Sequence, residues 1–327
     1  MVLSLLKKTH PNLHIRGYSI KFSNSVDETI QAGKIAEHFG IEHSIIELEN
    51  YLEELPKIIS ITKLPFWDLH WYYVAKIAKK SSEFLASGDG GDELFGGYTF
   101  RYQKYLSLVN SDSNVNEKIK SYLKCHERDR VPDQEKLFGK KSPFSWNKIN
   151  EKLVNYFDNS LDPIDQVFLA DYNGKLLYNF SIVNGSINKE FNLHPITPLL
   201  SQEIIQIAPH IPNSLKYDSK SNLGKLPLRK ILDQLNISHL VSDQKLGFSV
   251  NTINLWKNYG QKICKFYLSN SRIVKEGWIN DDWINTYIDK KNLDVKYVNK
   301  FLGILALEIW YRIFISKEIS PDEKLSV

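Results

Sequence analysis

Three short strand-like runs, YSIKF (18–22), HSIIEL (43–48) and FLAS (84–87), are separated by stretches of helical patterning. That order restricts roughly the first ninety residues to a parallel α/β sheet, because parallel strands need long crossovers between them. Tyr18, Ile20 and Phe22 alternate along the first run. Ser25-Val26-Asp27-Glu28 has capping-box spacing, and Ala32, Ile35, Ala36 and Phe39 then fall on one helical face before Gly40 closes the helix. A further helix is expected in the fifties, and Leu69, Tyr72, Tyr73 and Ile77 form another apolar helical stripe. Beyond about residue 100 the pattern becomes mainly helical, with loops expected at RVPDQEK (130–136) and HPITP (194–198).

The totals bound the function classes. A chain of 327 residues with 42% hydrophobic residues can bury a sizeable core. Its 42 Lys and Arg stand against 38 Asp and Glu, and the surplus is scattered, which gives no case for nucleic acid or an anionic membrane as partner. Two cysteines, Cys125 and Cys264, lie far apart without CxxC spacing, so a disulfide framework or structural zinc is not expected and a cytoplasmic location is. The N-terminal MVLSLLKK lacks the longer apolar core and cleavage site of a signal peptide. The most apolar segment, residues 298–315, contains Lys300, Glu308 and Arg312 and reads as a buried helix.

The chemistry concentrates in SGDGGDELFGGY (87–98), which follows the third strand and holds five glycines and three carboxylates. The carboxyl end of a strand is where open α/β sheets bind ligands. Three readings fit the composition: a calcium loop, a tight turn, or a nucleotide and magnesium site. The EF-hand spacing of acidic residues is missing. In the nucleotide reading, Ser87 and Gly88 offer backbone groups to the nucleotide, while Asp89 and Asp92 meet Mg²⁺ and polar substrate groups.

SGDGGDELFGGY resembles the S-G-[DE]-G-x-D-E-x-F-x-G-Y signature of the synthetase domain of glutamine-dependent asparagine synthetases and their relatives, the β-lactam synthetases among them. The resemblance extends back through YSIKF, Asp27-Glu28 with Ala32, and His43. Forward, it runs through Lys225-Leu226-Pro227-Leu228-Arg229, which resembles the family's K-x-x-L-R helix start, through Gln244 to Phe248, and to ALEIWYRIF near the end. It implies an ATP pyrophosphatase fold, of the adenine-nucleotide α-hydrolase-like kind. Residues 1–105 would form the α/β nucleotide-binding core and 106–327 the helical part of the same synthetase domain. It also implies that ATP activates the side-chain carboxylate of aspartate as an acyl-adenylate, with release of pyrophosphate, and that ammonia then displaces AMP.

Carried over by residue, the resemblance gives the backbone at Ile20, Ser87 and Gly88 to adenosine and Asp92 to Mg²⁺. Asp89 lines the acyl-adenylate or amine site, Lys245 neutralises charge developing on phosphate and carboxyl oxygens, and Lys225 joins the catalytic set. A fixed ammonium contributes most to rate where charge appears only in the transition state. His43 reads as a structural hydrogen-bonding histidine.

The sequence departs from the family's pattern at three places. The S-G-G-x-D-S pyrophosphate loop would precede a helix like VLSLLKK, and here Met1 already stands on that helix; the core is expected without that loop and its first strand. A glutaminase domain is expected only as a separate part or subunit. Residues 184–201 read NGSINKEFNLHPITPLLS where the family has D-R-x-S-M and R-x-P-F-L-D, and Asp243 replaces the arginine ahead of Lys245. Two alternatives to aspartate amidation therefore stand: a non-catalytic binding relative, and an amide synthetase acting on another carboxylate.

Overall fold

A computed structural model describes residues 1–22, 27–110, 112–241 and 250–326. Helix α1 (Val2–Thr9) leads into strand β1 (Arg16–Phe22), which pairs in parallel with β2 (Glu42–Leu48) in a register that sets Ile20 opposite Ile46 and Phe22 opposite Leu48. Between them runs α2 (Thr29–His38), a right-length crossover for a parallel pair. Asp27 accepts a 3.0 Å hydrogen bond from the Thr29 N–H at its start, and Gly40 takes the left-handed conformation (φ +57°) just past its end. The Ser25 end of the expected capping box lies outside the described residues. His43 shares a 2.9 Å hydrogen bond with Ser19 across the two strands, as its structural reading requires.

Helices α3 (Leu55–Thr62) and α4 (Trp71–Ala78) occupy the positions expected for them and bury Leu55, Ile58, Ile59, Tyr72 and Tyr73. Strand β3 (Phe84–Ala86) then pairs in parallel with β4 (His194–Ile196). This corrects the reading of HPITP as a loop. The three-residue strand carries a proline and no alternation, so its signal was too short to recognise; pairing with β3 creates it. Among the described residues no ladder joins the β1–β2 pair to the β3–β4 pair. RVPDQEK likewise holds the start of a one-turn helix, Gln134–Leu137.

The second half is mainly helical. Its longest helix, Val295–Phe314, buries Phe301, Leu302, Leu305 and Ile309 completely. Each such side chain contributes about 1.5–3 kcal/mol on removal from water. These residues share one core with Phe22, Leu52, Ile59 and Leu85 from the first half, and the C-terminal helix packs on α3 within it. Glu308 sits inside that core with no exposure and is satisfied by the Ser271 hydroxyl, the Arg272 and Ile273 N–H groups and the Arg312 guanidinium. No helix among the described residues is long and apolar enough to cross a membrane.

Candidate functional site

At the end of β3 the Ser87 N–H donates to the Ile196 carbonyl at 3.0 Å, and the chain then turns into the short helix α5 (Gly91–Phe95). The glycines of the turn have different causes. Gly90 (φ +86°) and Gly96 (φ +73°) bracket α5 in left-handed conformations that cost other residues energy. A Cβ on Gly90 would also lie 2.4 Å from Leu200 Cδ2. Gly97 is demanded by space: a Cβ there would lie 1.8 Å from Asp92 Oδ1 and 2.5 Å from Lys225 Cε. Around the Cβ position of Gly88, by contrast, no atom of the described residues beyond its chain neighbours lies within 4 Å, and the residue is exposed.

Asp92 and Lys225 meet beside this turn, with the ammonium 3.0 Å from Oδ1. Lys225 stands immediately before the helix Leu226–Gln234 with φ +57°, a conformation rare for a residue with a side chain. Its N–H donates to the Phe95 carbonyl at 2.9 Å, and the Arg229 N–H donates to its own carbonyl at 2.9 Å. The hairpin before it, β5 (Tyr217–Asp218) with β6 (Leu223–Gly224), presses on the end of α5 so closely that a Cβ on Gly224 would sit 2.0 Å from the Gly96 carbonyl oxygen. Nearer the open side, Asp89 Oδ2 accepts a 3.1 Å hydrogen bond from the Asn184 amide, and the Asp89 N–H reaches the Ser87 hydroxyl at 3.4 Å.

Ser87, Gly88, Asp89, Asp92 and Lys225 are thus gathered at one strand end. Ile20 belongs to the other ladder, and Lys245 lies outside the described residues with the rest of Gln244 to Phe248. The Asp92–Lys225 pair is not a closed metal cage, and no cluster of three or more His, Cys, Asp or Glu suited to a metal occurs among the described residues. It is instead an arrangement that can hold a charged ligand with one face left to solvent.

The family model described as Asparagine synthase matches residues 1–312. The chain belongs to the asparagine synthase family. Among curated proteins it is similar to Asparagine synthetase [glutamine-hydrolyzing] 1 of Bacillus subtilis (strain 168), 26% identical over 362 residues that cover 98% of this chain and 55% of that protein. The Putative asparagine synthetase [glutamine-hydrolyzing] of Mycobacterium tuberculosis (strain ATCC 25618 / H37Rv) is 22% identical over 88% of this chain and 49% of its own length. A shorter match, 32% over 93 residues, links 27% of this chain to 18% of the Putative asparagine synthetase [glutamine-hydrolyzing] 2 of Methanocaldococcus jannaschii. The chain spans about half the length of the first two relatives.

For a member of the asparagine synthase family, the sequence motif alone left out what lies behind the turn. Glu93 is buried, 4% exposed, and accepts a 2.5 Å hydrogen bond from the Tyr98 hydroxyl. Burial holds its carboxyl above the ordinary range. The Tyr98 ring is covered by the Arg101 guanidinium at 4.4 Å and the Lys175 ammonium at 4.0 Å from its centroid. Both cations also face fully buried Asp171, Lys175 at 3.5 Å and Arg101 at 4.0 Å, while the Tyr122 hydroxyl donates to it at 2.8 Å. Burial pushes the Asp171 carboxyl up to about 6, against the pull of Arg101. Two buried carboxylates and two cations therefore brace Tyr98, one residue from Gly97. Asn184 was equally hidden, because it stands 95 residues from the aspartate it touches.

Proposed function

We propose that this chain is the synthetase part of an enzyme that uses ATP to amidate the side-chain carboxylate of aspartate through an acyl-adenylate, releasing pyrophosphate and AMP. The observation that carries this reading is the open backbone at Gly88 flanked by Asp89, Asp92 and Lys225 at the end of a parallel strand, in a chain of the asparagine synthase family. In this reading the fold is the ATP pyrophosphatase type, with residues 1–105 as the nucleotide-binding core and 106–327 as the helical part of the same domain. The core shared between the two parts supports their belonging together.

The roles follow from charge and position. Backbone groups at Ser87 and Gly88, with Ile20 from the neighbouring ladder, hold adenosine; Asp89 orients the amine or the acyl group through the hydrogen-bonding capacity that Asn184 does not use. Asp92, 23% exposed, fits Mg²⁺ as a single carboxylate whose remaining ligands are phosphate oxygens and water, the usual arrangement for nucleotide-borne magnesium. The ion supplies charge neutralisation on the polyphosphate when bound. Lys225 and Lys245 offset the negative charge that develops on phosphate and carboxyl oxygens. Ammonia is the second substrate, delivered by a glutaminase domain or subunit. Both cysteines are unpaired, which agrees with a reducing cytoplasm.

A second reading keeps the reaction and changes the carboxylate. The segment in which this chain departs from the family's arginine motifs contributes Asn184 to Asp89 and β4 to β3, so the acceptor wall itself is altered. Pyrophosphate release from ATP by the protein with magnesium and ammonia decides between them. Release that depends on aspartate supports amidation of aspartate. Release with another carboxylic acid and not aspartate supports the second reading, and failure with every acid tried, with no ATP binding, overturns both.

A further inference from the structure

The motif glycines divide into two groups by what they face, and the division assigns Lys225 a specific task. Gly88 opens to space. Gly91 and Gly97 instead line the path of one side chain: Cβ atoms on them would fall 3.9 Å from the Lys225 ammonium and 2.5 Å from its Cε. The signature thus clears room for a lysine from a helix start more than 120 residues away in sequence. That lysine is held at φ +57° by hydrogen bonds on both sides of its α-carbon, so its side chain leaves the backbone in a fixed direction toward Asp92. Residues kept in such conformations are over-determined by their surroundings and cluster at functional sites. The pair stays partly solvent-accessible, with Lys225 33% and Asp92 23% exposed, so it can open.

We infer that Lys225 is a tethered counter-cation that occupies Oδ1 of Asp92 until a polyphosphate arrives. The inference rests on the nucleotide reading of the site. Before nucleotide binds, the ammonium neutralises Asp92 and competes with free divalent cations. When an anionic phosphate enters with its own Mg²⁺, the ammonium transfers from the carboxylate to the phosphate and the divalent ion takes its place. No covalent bond changes in the exchange, and charge stays balanced on both sides of it. The consequence is ordered loading: the divalent ion is admitted with the nucleotide rather than before it.

Two titrations on the chain test this. Mn²⁺ alone serves as the divalent probe, followed by electron paramagnetic resonance or calorimetry, and ATP in the presence of excess chelator serves as the metal-free polyphosphate. Lys225→Met removes the cation and keeps the stem; Lys225→Asn is the second variant, because asparagine tolerates the left-handed conformation. Since exposed ion pairs are weak, the expected tightening of Mn²⁺ is about threefold in both variants. Metal-free ATP should weaken in both, and Lys225→Arg should keep Mn²⁺ affinity close to the parent. Opposite signs for the two ligands are not what a merely structural role would give.

Mn²⁺ affinity that is equal or weaker in variants retaining the parental melting temperature overturns the inference. So does an Mn²⁺ gain as large in Lys225→Arg, or no Mn²⁺ binding by any variant at millimolar concentration. Absence of ATP binding by the parent, with Mn²⁺ still tightened in the variants, instead removes the nucleotide reading and leaves Lys225 as a bare guard of Asp92.

Discussion

Gly97→Ala separates the site from the fold more cleanly than any other single change to the turn. The new methyl carbon would stand 1.8 Å from Asp92 Oδ1, 2.7 Å from its Cγ and 2.5 Å from Lys225 Cε. Ordinary contact requires about 3.5 Å between carbons, so the carboxylate must retreat by about 1.5 Å and the lysine must swing away. The three nearest opposing atoms all belong to side chains, and the pair it breaks is a quarter to a third exposed. The lost attraction is therefore about 1 kcal/mol or less. Residual crowding adds about 1 kcal/mol, the low end for an inserted methyl, because the neighbours can rotate into solvent. Gly224→Ala makes the instructive contrast: its methyl would meet the Gly96 carbonyl oxygen at 2.0 Å, a backbone atom pinned at the end of α5. No rotation relieves that overlap, and a loss of about 3 kcal/mol or more is expected. Urea denaturation of both variants, alongside amide synthesis with the identified acid, gives the comparison. Gly97→Ala should lose about 2 kcal/mol of stability and about a hundredfold in kcat/KM, the usual cost of displacing a catalytic group by an ångström or more. Near-parental activity in Gly97→Ala, or a stability loss matching that of Gly224→Ala, would refute the placement of Asp92 and Lys225 at the reacting end of the turn.

Other expectations follow from the buried polar groups. Asp171 titrates near 6 in the folded protein against 3.8 for an ordinary aspartate, so the native state binds more protons in that interval. Its contribution is present below pH 3.8 and is lost as pH rises through 6, by about 3 kcal/mol; the stability difference between the parent and Asp171→Asn should fall by that amount between pH 3.5 and 7.5, and a flat difference would exclude it. Tyr98→Phe removes the hydroxyl that donates to buried Glu93 and should cost about 1–3 kcal/mol in a denaturation midpoint analysis. Glu308→Ala strands the Arg312 guanidinium and two backbone N–H groups in the core, for a loss of about 3–5 kcal/mol, with Glu308→Gln milder because it keeps the shape and an acceptor. Asn184→Asp sets a carboxylate where an amide now donates to Asp89; the repulsion should lower kcat/KM at neutral pH while Asn184→Gln, which keeps the donor, loses less.

What could be read from the sequence and what could not differ by the range of the physics involved. Patterns written within one helix or strand survived: the stripe through Ala32, Ile35 and Ala36 became α2 with Phe39 just past its end, and YSIKF and HSIIEL became a parallel pair in which Tyr18, Ile20 and Phe22 pack on one core. Each of those signals depends on neighbours a few positions away, where periodicity and packing report the same face. The β4 strand failed this test, since its three residues gain extended structure only from hydrogen bonds to β3, more than a hundred residues earlier. The site divides in the same way. SGDGGDELFGGY suggested a backbone suited to close approach, yet composition could not tell which glycine is open and which faces a lysine. That distinction needs Lys225, and Lys225 is brought to Gly97 by a hairpin whose own glycine lies against Gly96. Glu93 shows the same limit from the side of charge: counted with Asp89 and Asp92 as one acidic run, it is turned inward on α5 and held by the Tyr98 hydroxyl, whose ring Arg101 and Lys175 cover. A run of like charge in the chain is thus divided in the fold, with Glu93 buried and Asp89 and Asp92 left partly exposed. That division explains how three carboxylates can stand within five residues of one another without destabilising the turn that carries them.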